Sequence, residues 1–361
     1  MKVFTDSRIL KELVGKAERG LARSDVHPLM TCFHLRASDG QIALSANNFE
    51  QHIRALGDAE VARQGAVLLP GKRFAQLIKK LDGCVEITAT EGQAVIACGQ
   101  AKATMQLVPG ADQFPSPPVL DDVNAMKLTG AKFTEIIKRV AVASAKDDLR
   151  QFLCGVLFEA GEDGLTCVGT DSGRMAVLRM GESGPRGKWV VPAKFLISLA
   201  PLIEDSDDVS VVLRLGSKAA SIESGTTVAW TRLIASGFPE RWSQLIPSSS
   251  KYVVAFDGRE MLGAIERAST ICAKDKLMVE LEVDKDGIIL RTENSESTFK
   301  EVLKADTTGS FTVFMQVPYL VDFLRSCQGQ VCWTSSGEEG PQVFSCEDRE
   351  GWVYVAMPVR R

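Results

Sequence analysis

The feature that most constrains this chain is a pattern that occurs three times at a spacing of about 124 residues. Turn dipeptides between apolar segments stand at Asp39-Gly40, Asp163-Gly164 and Asp286-Gly287. A polar residue followed by an amphipathic segment, the usual signal for a helix start, occurs at Asp6, at Thr129 and at Asp257. A repeat of this length is a whole domain, because solenoid units are only about 20–50 residues long.

Each third of the chain has the same predicted order of elements: strand, helix, several strands, then strand, helix and several strands again. Apolar residues at helical spacing mark the first helix of each third, and alternating apolar residues mark the strands. We therefore predict an α+β fold of three similar domains, each with two helices on one side and about eight strands in sheets. Proline-rich stretches at 114–118 and 238–250 place the domains at 1–120, 121–250 and 251–361.

Composition excludes several classes of protein. The chain begins without an apolar signal segment and has no apolar stretch near 18 residues, so we expect no secretory signal and no membrane span. The nine cysteines are odd in number and have no C-x-x-C spacing, which favours free thiols in a reducing cytosol. These features predict a cytoplasmic protein.

Positive charge is concentrated on the predicted helices. Those helices, at 7–20, 71–81, 131–146, 193–203, 257–274 and 316–327, carry 17 Lys or Arg and 7 Asp or Glu, in a chain of net charge −4. A basic surface on an otherwise acidic body attracts a polyanion to one face, and Lys and Arg without base-reading amides indicate phosphate contacts without sequence specificity. The alternative is that lysine-rich helix exteriors serve solubility alone. The helices of the last third are electrically balanced, so the first two thirds hold the positive face.

A catalytic constellation is not evident. The three histidines, His27, His34 and His52, all lie in the first third and lack metal-ligand spacing. Ser172 is not in a G-x-S-x-G elbow, and the segment 184–189 lacks the first glycine and the Ser/Thr of a phosphate loop. We expect a binding protein without metal or cofactor; a hydrolase that uses Ser172 or a cysteine is a minor alternative.

Four stretches carry a resemblance to a known family. They read RQFLCGVLFE at 150–159, VGTDSGRMAV at 168–177, GFP to LIP from 237 to 247, and YVAMPVR at 354–360. With these motifs the chain resembles the β subunit of bacterial DNA polymerase III, the sliding clamp. The resemblance spans the full length. It implies the DNA-clamp fold, in which two chains close head-to-tail into a ring with the helices on the inner side and antiparallel sheets outside.

The same resemblance implies a function and partners. The chain would encircle double-stranded DNA without sequence specificity, confer processivity, and have no catalytic activity of its own. It would tether the DNA polymerase III catalytic subunit, the clamp loader and other proteins that carry a clamp-binding motif, a short linear sequence with Gln and Leu.

Site residues follow from the resemblance position by position. The implied DNA-binding residues are Arg23, Lys72, Arg73, Lys79, Lys80, Lys138, Arg139, Lys146, Arg150, Gln151, Phe152 and Lys194. The implied client-peptide pocket consists of Leu153, Thr170, Ser172, Gly173, Arg174, Met175, Pro239, Gln244, Leu245, Val355, Met357, Pro358 and Val359. The implied dimer interface pairs edge strands near 101–107 and 296–301 and includes Lys102, Ala103, Met105, Thr270, Ile271, Glu296 and Glu301.

Several positions depart from the family pattern. Ser172-Gly173 stands where Gly-His is usual, Gln244 replaces an arginine, and Arg361 replaces a terminal leucine. These departures motivate an alternative function, a diverged clamp-like scaffold that binds client peptides without being the main replicative clamp.

Overall fold

The computed structural model describes residues 1–22, 27–181, 184–273 and 277–360. The α-helices in these ranges are α1 Ser7–Ala17, α2 Gly71–Ile78, α3 Gly130–Arg139, α4 Ala193–Leu199, α5 Gly258–Ser269 and α6 Val317–Leu324. The strands of the first third are β1 Lys2–Asp6, β2 Cys32–Ser38, β3 Gln41–Asn47, β4 Gln51–Asp58, β5 Glu60–Arg63, β6 Gly65–Pro70, β7 Cys84–Ala89, β8 Gln93–Cys98 and β9 Ala101–Gln106.

The strands of the second third are β10 Asn124–Thr129, β11 Gly155–Gly161, β12 Gly164–Thr170, β13 Arg174–Met180, β14 Gly187–Pro192, β15 Ser210–Leu215, β16 Ala219–Ser224 and β17 Thr227–Arg232. Those of the last third are β18 Tyr252–Asp257, β19 Met278–Asp284, β20 Gly287–Glu293, β21 Thr298–Leu303, β22 Asp306–Thr307, β23 Phe311–Gln316, β24 Gln330–Ser335, β25 Gln342–Cys346 and β26 Trp352–Ala356. All strand pairs described are antiparallel, so the predicted α+β class is confirmed.

Two of the predicted helix starts are capped as the sequence indicated. The Asp6 carboxylate accepts a hydrogen bond from the Arg8 amide at 2.8 Å, and Asp257 accepts from the amides of Arg259 and Glu260 at 2.9 Å each. A carboxylate at this position satisfies orphan N–H groups and complements the helix dipole. It therefore fixes where α1 and α5 begin.

Several helices are shorter than the sequence predicted. Pro201, which cannot donate to an α-helical ladder, follows the end of α4 at Leu199, so that helix gives way to a 3₁₀ turn. The helix α2 ends at Ile78 and α3 at Arg139. Lys79, Lys80 and Lys146 consequently lie beyond the helices on which we expected them.

The three turn dipeptides mark hairpins, but with two geometries. Asp39 and Gly40 both have positive φ, 53° and 76°, as a two-residue type I′ turn requires. In the later copies the glycine is the first residue of the following strand, since β12 begins at Gly164 with φ 101° and β20 at Gly287 with φ 135°. Short-range turn chemistry located the hairpins to within a residue.

The chain divides into two compact units. The first comprises Met1–Phe133 and Ser198–Leu233. It contains a five-stranded sheet in the order β5-β1-β7-β8-β9 and an eight-stranded sheet in the order β10-β15-β16-β17-β4-β3-β2-β6. The α1 residues Leu10, Leu13 and Val14 are fully buried in its core, and each contributes about 2 kcal/mol by leaving water.

The second unit comprises Thr134–Ile197 and Ile234–Arg361. Its nine-stranded sheet has the order β14-β11-β12-β13-β26-β25-β24-β18-β22, and its four-stranded sheet the order β21-β20-β19-β23. These units do not follow the boundaries inferred from the proline-rich stretches, and the division into three domains stays a prediction.

Strand pairing follows one rule in both units. The last strand of the middle third, β17, pairs with β4 of the first third, and the last strand of the final third, β26, pairs with β13 of the middle third. By chain order β4, β13 and β21 are equivalent strands, and so are β9, β17 and β26. The two strands without such a partner in the described sheets, β9 and β21, each lie at a sheet edge.

Two further expectations concern the chain as a whole. Each of the nine cysteines is a free thiol in the structure, and six of them are buried. Of the helices in the described ranges, none combines the length and the apolar character that crossing a bilayer requires.

Candidate functional site

A hydrogen-bonded turn between β12 and β13 contains several residues of the predicted client pocket. The Asp171 carboxylate accepts the amides of Gly173 and Arg174 at 3.0 Å each. Thr170 donates its hydroxyl to the Arg174 carbonyl at 2.6 Å and accepts the amide of Ser172 at 3.1 Å. Ser172 has φ 71°, a left-handed conformation that costs a non-glycine residue free energy. The turn is thus held by its own side chains.

Arg174 is the centre of a buried polar cluster. Its Nε donates to Asp171 at 3.0 Å, one Nη donates to Asp322 at 2.6 Å, and the other donates to the Val142 carbonyl at 2.8 Å. Burial alone would lower the pKa of Arg174, but Tyr354, Asp322 and Asp171 outweigh it and raise that pKa. The guanidinium therefore stays charged and ties β13 to α6.

Two tyrosines complete this cluster. The Arg174 guanidinium lies 4.7 Å from the centre of the Tyr319 ring, and the Tyr354 hydroxyl donates to the Tyr319 carbonyl at 3.0 Å. Burial raises the pKa of Tyr354, so its hydroxyl remains protonated. A Cβ on Gly173 would come within 2.4 Å of the Tyr319 hydroxyl, so this position requires glycine unless Tyr319 moves. The tyrosine occupies the space beside the turn.

Apolar residues form a buried floor next to this cluster. Met175 and Val355 belong to a core cluster with Trp242, and Leu153 is also buried. Near them in sequence, Leu245 is 61% exposed and Met357 is 41% exposed. The Met357 amide donates to the Gly173 carbonyl at 2.8 Å, which joins the C-terminal segment to the turn. Exposed apolar side chains beside a buried apolar floor are typical of a surface that receives a partner's side chain.

The remaining predicted pocket residues lie in the same unit. Pro239 and Gln244 are exposed, Pro358 and Val359 are half-buried, and the Val359 amide donates to the Phe314 carbonyl at 2.8 Å. Tyr319, Asp322 and Trp242 were not among the residues predicted for the pocket. Tyr319 and Asp322 stand almost 150 residues from the turn they contact, so no local pattern could have identified them.

The predicted DNA contacts of α2 and of the two residues after it are exposed. Lys72, Arg73 and Lys80 have no ion-pair partner within the described residues, whereas Lys79 pairs with Glu18 at 2.6 Å. In the second unit Lys138, Lys146 and Lys194 are also exposed. Arg23 lies outside the described residues.

Arg139 has a different environment. Its side chain is only 11% exposed, and it forms ion pairs with Glu135 at 3.2 Å and with Asp348 at 2.5 Å. Its guanidinium also lies 4.3 Å from the Trp352 ring centre. Burial raises the pKa of Glu135 despite the nearby arginines. The charge of Arg139 is thus largely neutralised by neighbours that hold α3 against the last third.

The segment after Lys146 contains the other predicted DNA contacts. Arg150 forms a two-pronged ion pair with Asp148, at 3.1 Å for each prong, and Gln151 is exposed. The Phe152 ring packs edge-on against Phe238 with 5.9 Å between centroids. Phe152 therefore belongs to the packing beside the pocket as well as to this segment.

The predicted interface residues lie on or next to the two open edges. Lys102, Ala103 and Met105 are on β9, and Glu301 is on β21, where it pairs with Arg267 at 2.5 Å. Thr270 and Glu296 are exposed, and the Ile271 carbonyl accepts from the Asn294 side chain at 2.7 Å.

Comparison with known proteins agrees with this architecture. A family model described as the N-terminal domain of the DNA polymerase III beta subunit matches residues 1–118, and one for its central domain matches residues 127–240. A beta sliding clamp of Streptomyces coelicolor is 26% identical over 377 residues, covering 100% of this chain and 99% of the relative. The beta sliding clamp of Bacillus subtilis is 23% identical over 379 residues, with full coverage of both chains.

Solved structures show the same fold. The DNA polymerase sliding clamp from Bacillus subtilis superimposes with a TM-score of 0.93 at 22% identity, covering 100% of this chain and 99% of that one. A sliding clamp from Pseudomonas aeruginosa bound to griselimycin gives 0.92 at 22% identity with full coverage of both. The fold is that of the DNA polymerase sliding clamps. Since the two family models together match more than half of its length, the chain belongs to the DNA polymerase III beta subunit family.

Proposed function

We propose that this chain is a DNA sliding clamp that encircles duplex DNA and tethers DNA polymerase III and other replication and repair proteins, with no catalytic site of its own. The observation that carries the proposal is the repeated strand pairing, which leaves one complementary pair of edges open. The family membership and the exposed basic residues add to it.

Ring closure follows from the two open strands. Since β17 pairs with β4 and β26 pairs with β13, the same rule would pair β9 with β21. We propose that β9 of one protomer adds to β21 of its partner, so that two chains close head-to-tail. Exposed backbone N–H and C=O groups of an edge strand favour such pairing, and a closed ring leaves neither edge free.

DNA contact would be electrostatic and loose. Exposed Lys72, Arg73 and Lys80, with Lys138, Lys146 and Lys194, supply positive charge without base-reading side chains. Phosphate contacts of this kind carry no sequence information and have no preferred register, so the ring can slide. Retention would come from topology, and a modest charge is sufficient.

Client proteins would dock beside the turn at 170–174. The buried floor of Met175 and Val355 and the exposed Leu245 and Met357 fit an apolar anchor of a short peptide. Methionine side chains adapt to different anchors, which suits a site with several clients. We propose that the polymerase, the clamp loader and other proteins with a Gln-Leu motif compete for it in the cytoplasm.

Retention on DNA of different topology tests the proposal. The protein is loaded by its own organism's clamp loader onto a nicked circle, and its residence is followed after the circle is cut once. We expect long residence on the circle and rapid loss from the linear product. Equal loss from both would contradict encirclement, and peptide binding without retention would favour the alternative of a clamp-like scaffold.

A further inference from the structure

We propose that Arg150 is a positioning residue of the client pocket, which holds the turn at 170–174 through the hydroxyl of Ser172, and that it is not a phosphate contact. This inference rests on the proposed function of the pocket. It concerns two residues of this chain, one of which departs from the family pattern.

Two of the three guanidinium nitrogens of Arg150 donate hydrogen bonds within the described residues. Its Nε and one Nη donate to the two oxygens of Asp148 at 3.1 Å each, and the same Nη donates to Ser172 Oγ at 2.9 Å. The Asp148 carboxylate also accepts the Arg150 amide at 2.8 Å. A planar guanidinium held along this edge by three hydrogen bonds is less free to reach a phosphate than an extended lysine.

The contact with Arg150 offsets the free energy that the left-handed backbone conformation of Ser172 costs. Its φ of 71° favours glycine, so a serine here requires compensating interactions. The hydroxyl donates to the Asp171 carbonyl at 2.5 Å and accepts from Arg150. A glycine would relax the backbone but would remove the acceptor that Arg150 uses.

The contact joins two sides of the pocket. On one side, the Leu153 amide donates to the Arg150 carbonyl at 2.9 Å, and the Leu153 carbonyl accepts from Ala145 at 2.8 Å. On the other side, Gly173, next to Ser172, accepts the Met357 amide. The Arg150–Ser172 bond therefore fixes the segment of buried Leu153 relative to the segment of exposed Met357.

A pocket held in its binding geometry before the peptide arrives loses less conformational freedom on binding. Because the bond lies on the surface, breaking it should change peptide affinity more than global stability. A positioning role thus predicts a loss of peptide affinity. A purely structural role would instead predict a loss of stability, and a DNA contact a loss of DNA binding.

The test is a double-mutant cycle in the full-length protein. A fluorescent peptide that carries a Gln-Leu motif is titrated into the wild type, Arg150→Ala, Ser172→Ala and the double variant, and binding is read by anisotropy. We expect each single change to weaken binding about three- to tenfold and the double change to add little, since both remove one bond. Arg150→Lys, which keeps the charge and lacks the fork, should restore little of the affinity.

Arg186→Ala is the matched control, because Arg186 is an exposed arginine of the same unit paired with Glu162. It should leave peptide affinity unchanged. Melting temperatures of all variants should agree within a few degrees, so that a loss of affinity is not a loss of folding.

Two readouts separate failure of this inference from failure of the proposed function. Hydrogen exchange at the amides of Gly173 and Arg174 should accelerate in Arg150→Ala whether or not the peptide binds. If the wild type binds the peptide, any of three results would show that the positioning role is wrong. The effects of the two single changes could add in the double variant, hydrogen exchange could be unchanged in Arg150→Ala, or Arg150→Ala could lose only salt-resistant DNA loading. If the wild type does not bind the peptide, the pocket proposal itself fails.

Discussion

His52 illustrates how burial decides the charge of a single residue. Its imidazole is buried, lies 5.4 Å from the Trp230 ring and 6.0 Å from the Phe114 ring, and has Asn47 within 3.3 Å of its Nδ1. Burial, helped by Arg54 and His34, lowers the pKa of His52 from 6.5 to about 4. The ring is therefore neutral in the folded protein at neutral pH.

This lowered pKa predicts a pH dependence of stability. Between pH 6.5 and about 4 the unfolded chain binds a proton that the folded chain does not, so the stability contributed by neutral His52 is lost as the pH falls. From pH 7.5 to pH 5, we expect the wild type to lose about 2 kcal/mol more unfolding free energy than His52→Gln, measured by urea unfolding.

His27→Gln serves as the control for this measurement, because His27 lies on the surface. It should retain the pH dependence of the wild type. The same dependence in His52→Gln as in the wild type would show that this imidazole is not the titrating group.

Edge strands are the elements on which the proposed assembly depends. The residue Val302 of β21 is 62% exposed, and β21 has no neighbouring strand on one side. An exposed β-branched residue on an open edge leaves apolar surface for a partner to cover. The pairings of β17 with β4 and of β26 with β13 follow one rule, and by that rule β9 is the strand that would pair with this edge.

A charge at Val302 should therefore open the dimer. In Val302→Asp, burial of a carboxylate at the β9–β21 junction costs several kcal/mol, so we expect the molecular mass measured by light scattering to shift from dimer towards monomer. The fold should persist by circular dichroism, since the side chain is exposed in the single chain.

Val119→Asp is the matched control, because Val119 is 78% exposed and lies between β9 and β10, outside both edge strands. It should remain a dimer. A dimer of unchanged strength in Val302→Asp would place the interface elsewhere.

At the scale of the whole molecule, the charge available to a polyanion excludes the side chains that already form ion pairs within the protein. Arg139 and Arg150 are engaged by carboxylates, whereas Lys72 and Arg73 extend from α2 without an ion-pair partner among the described residues. The charge available for a polyanion is smaller than the sequence count suggested. A modest charge is sufficient for the proposed ring, because its retention would come from topology.

Neutralising these two residues should affect loading and not retention. In Lys72→Gln with Arg73→Gln, we expect loading onto nicked circles to fail at about half the salt concentration that the wild type tolerates, because about two fewer phosphates are contacted. Clamps already loaded should stay on the circle as long as the wild type.

Lys218→Gln with Lys285→Gln removes the same charge from exposed hairpin turns between strands and is the control. Its loading should follow the wild-type salt dependence. Equal salt sensitivity of both double variants would assign the effect to net charge and not to α2.

Local chemistry was sufficient for the sequence to determine the elements. Capping carboxylates fixed the starts of α1 and α5, turn dipeptides located the hairpins, and the period of about 124 residues indicated the threefold repeat, because each depends on residues close in the chain. The four family motifs added the resemblance, which the comparisons confirm.

Tertiary structure alone decided which side chains meet. The engagement of Arg139 by Asp348 and the packing of Tyr319 against Arg174 depend on contacts that the repeat pattern does not contain. The resemblance implied edge strands near 101–107 and 296–301, and the strand order shows that β9 and β21 lie at sheet edges. A sequence shows which residues carry charge or apolar surface, but only folding brings partners together from more than 100 positions away and shows what is left exposed.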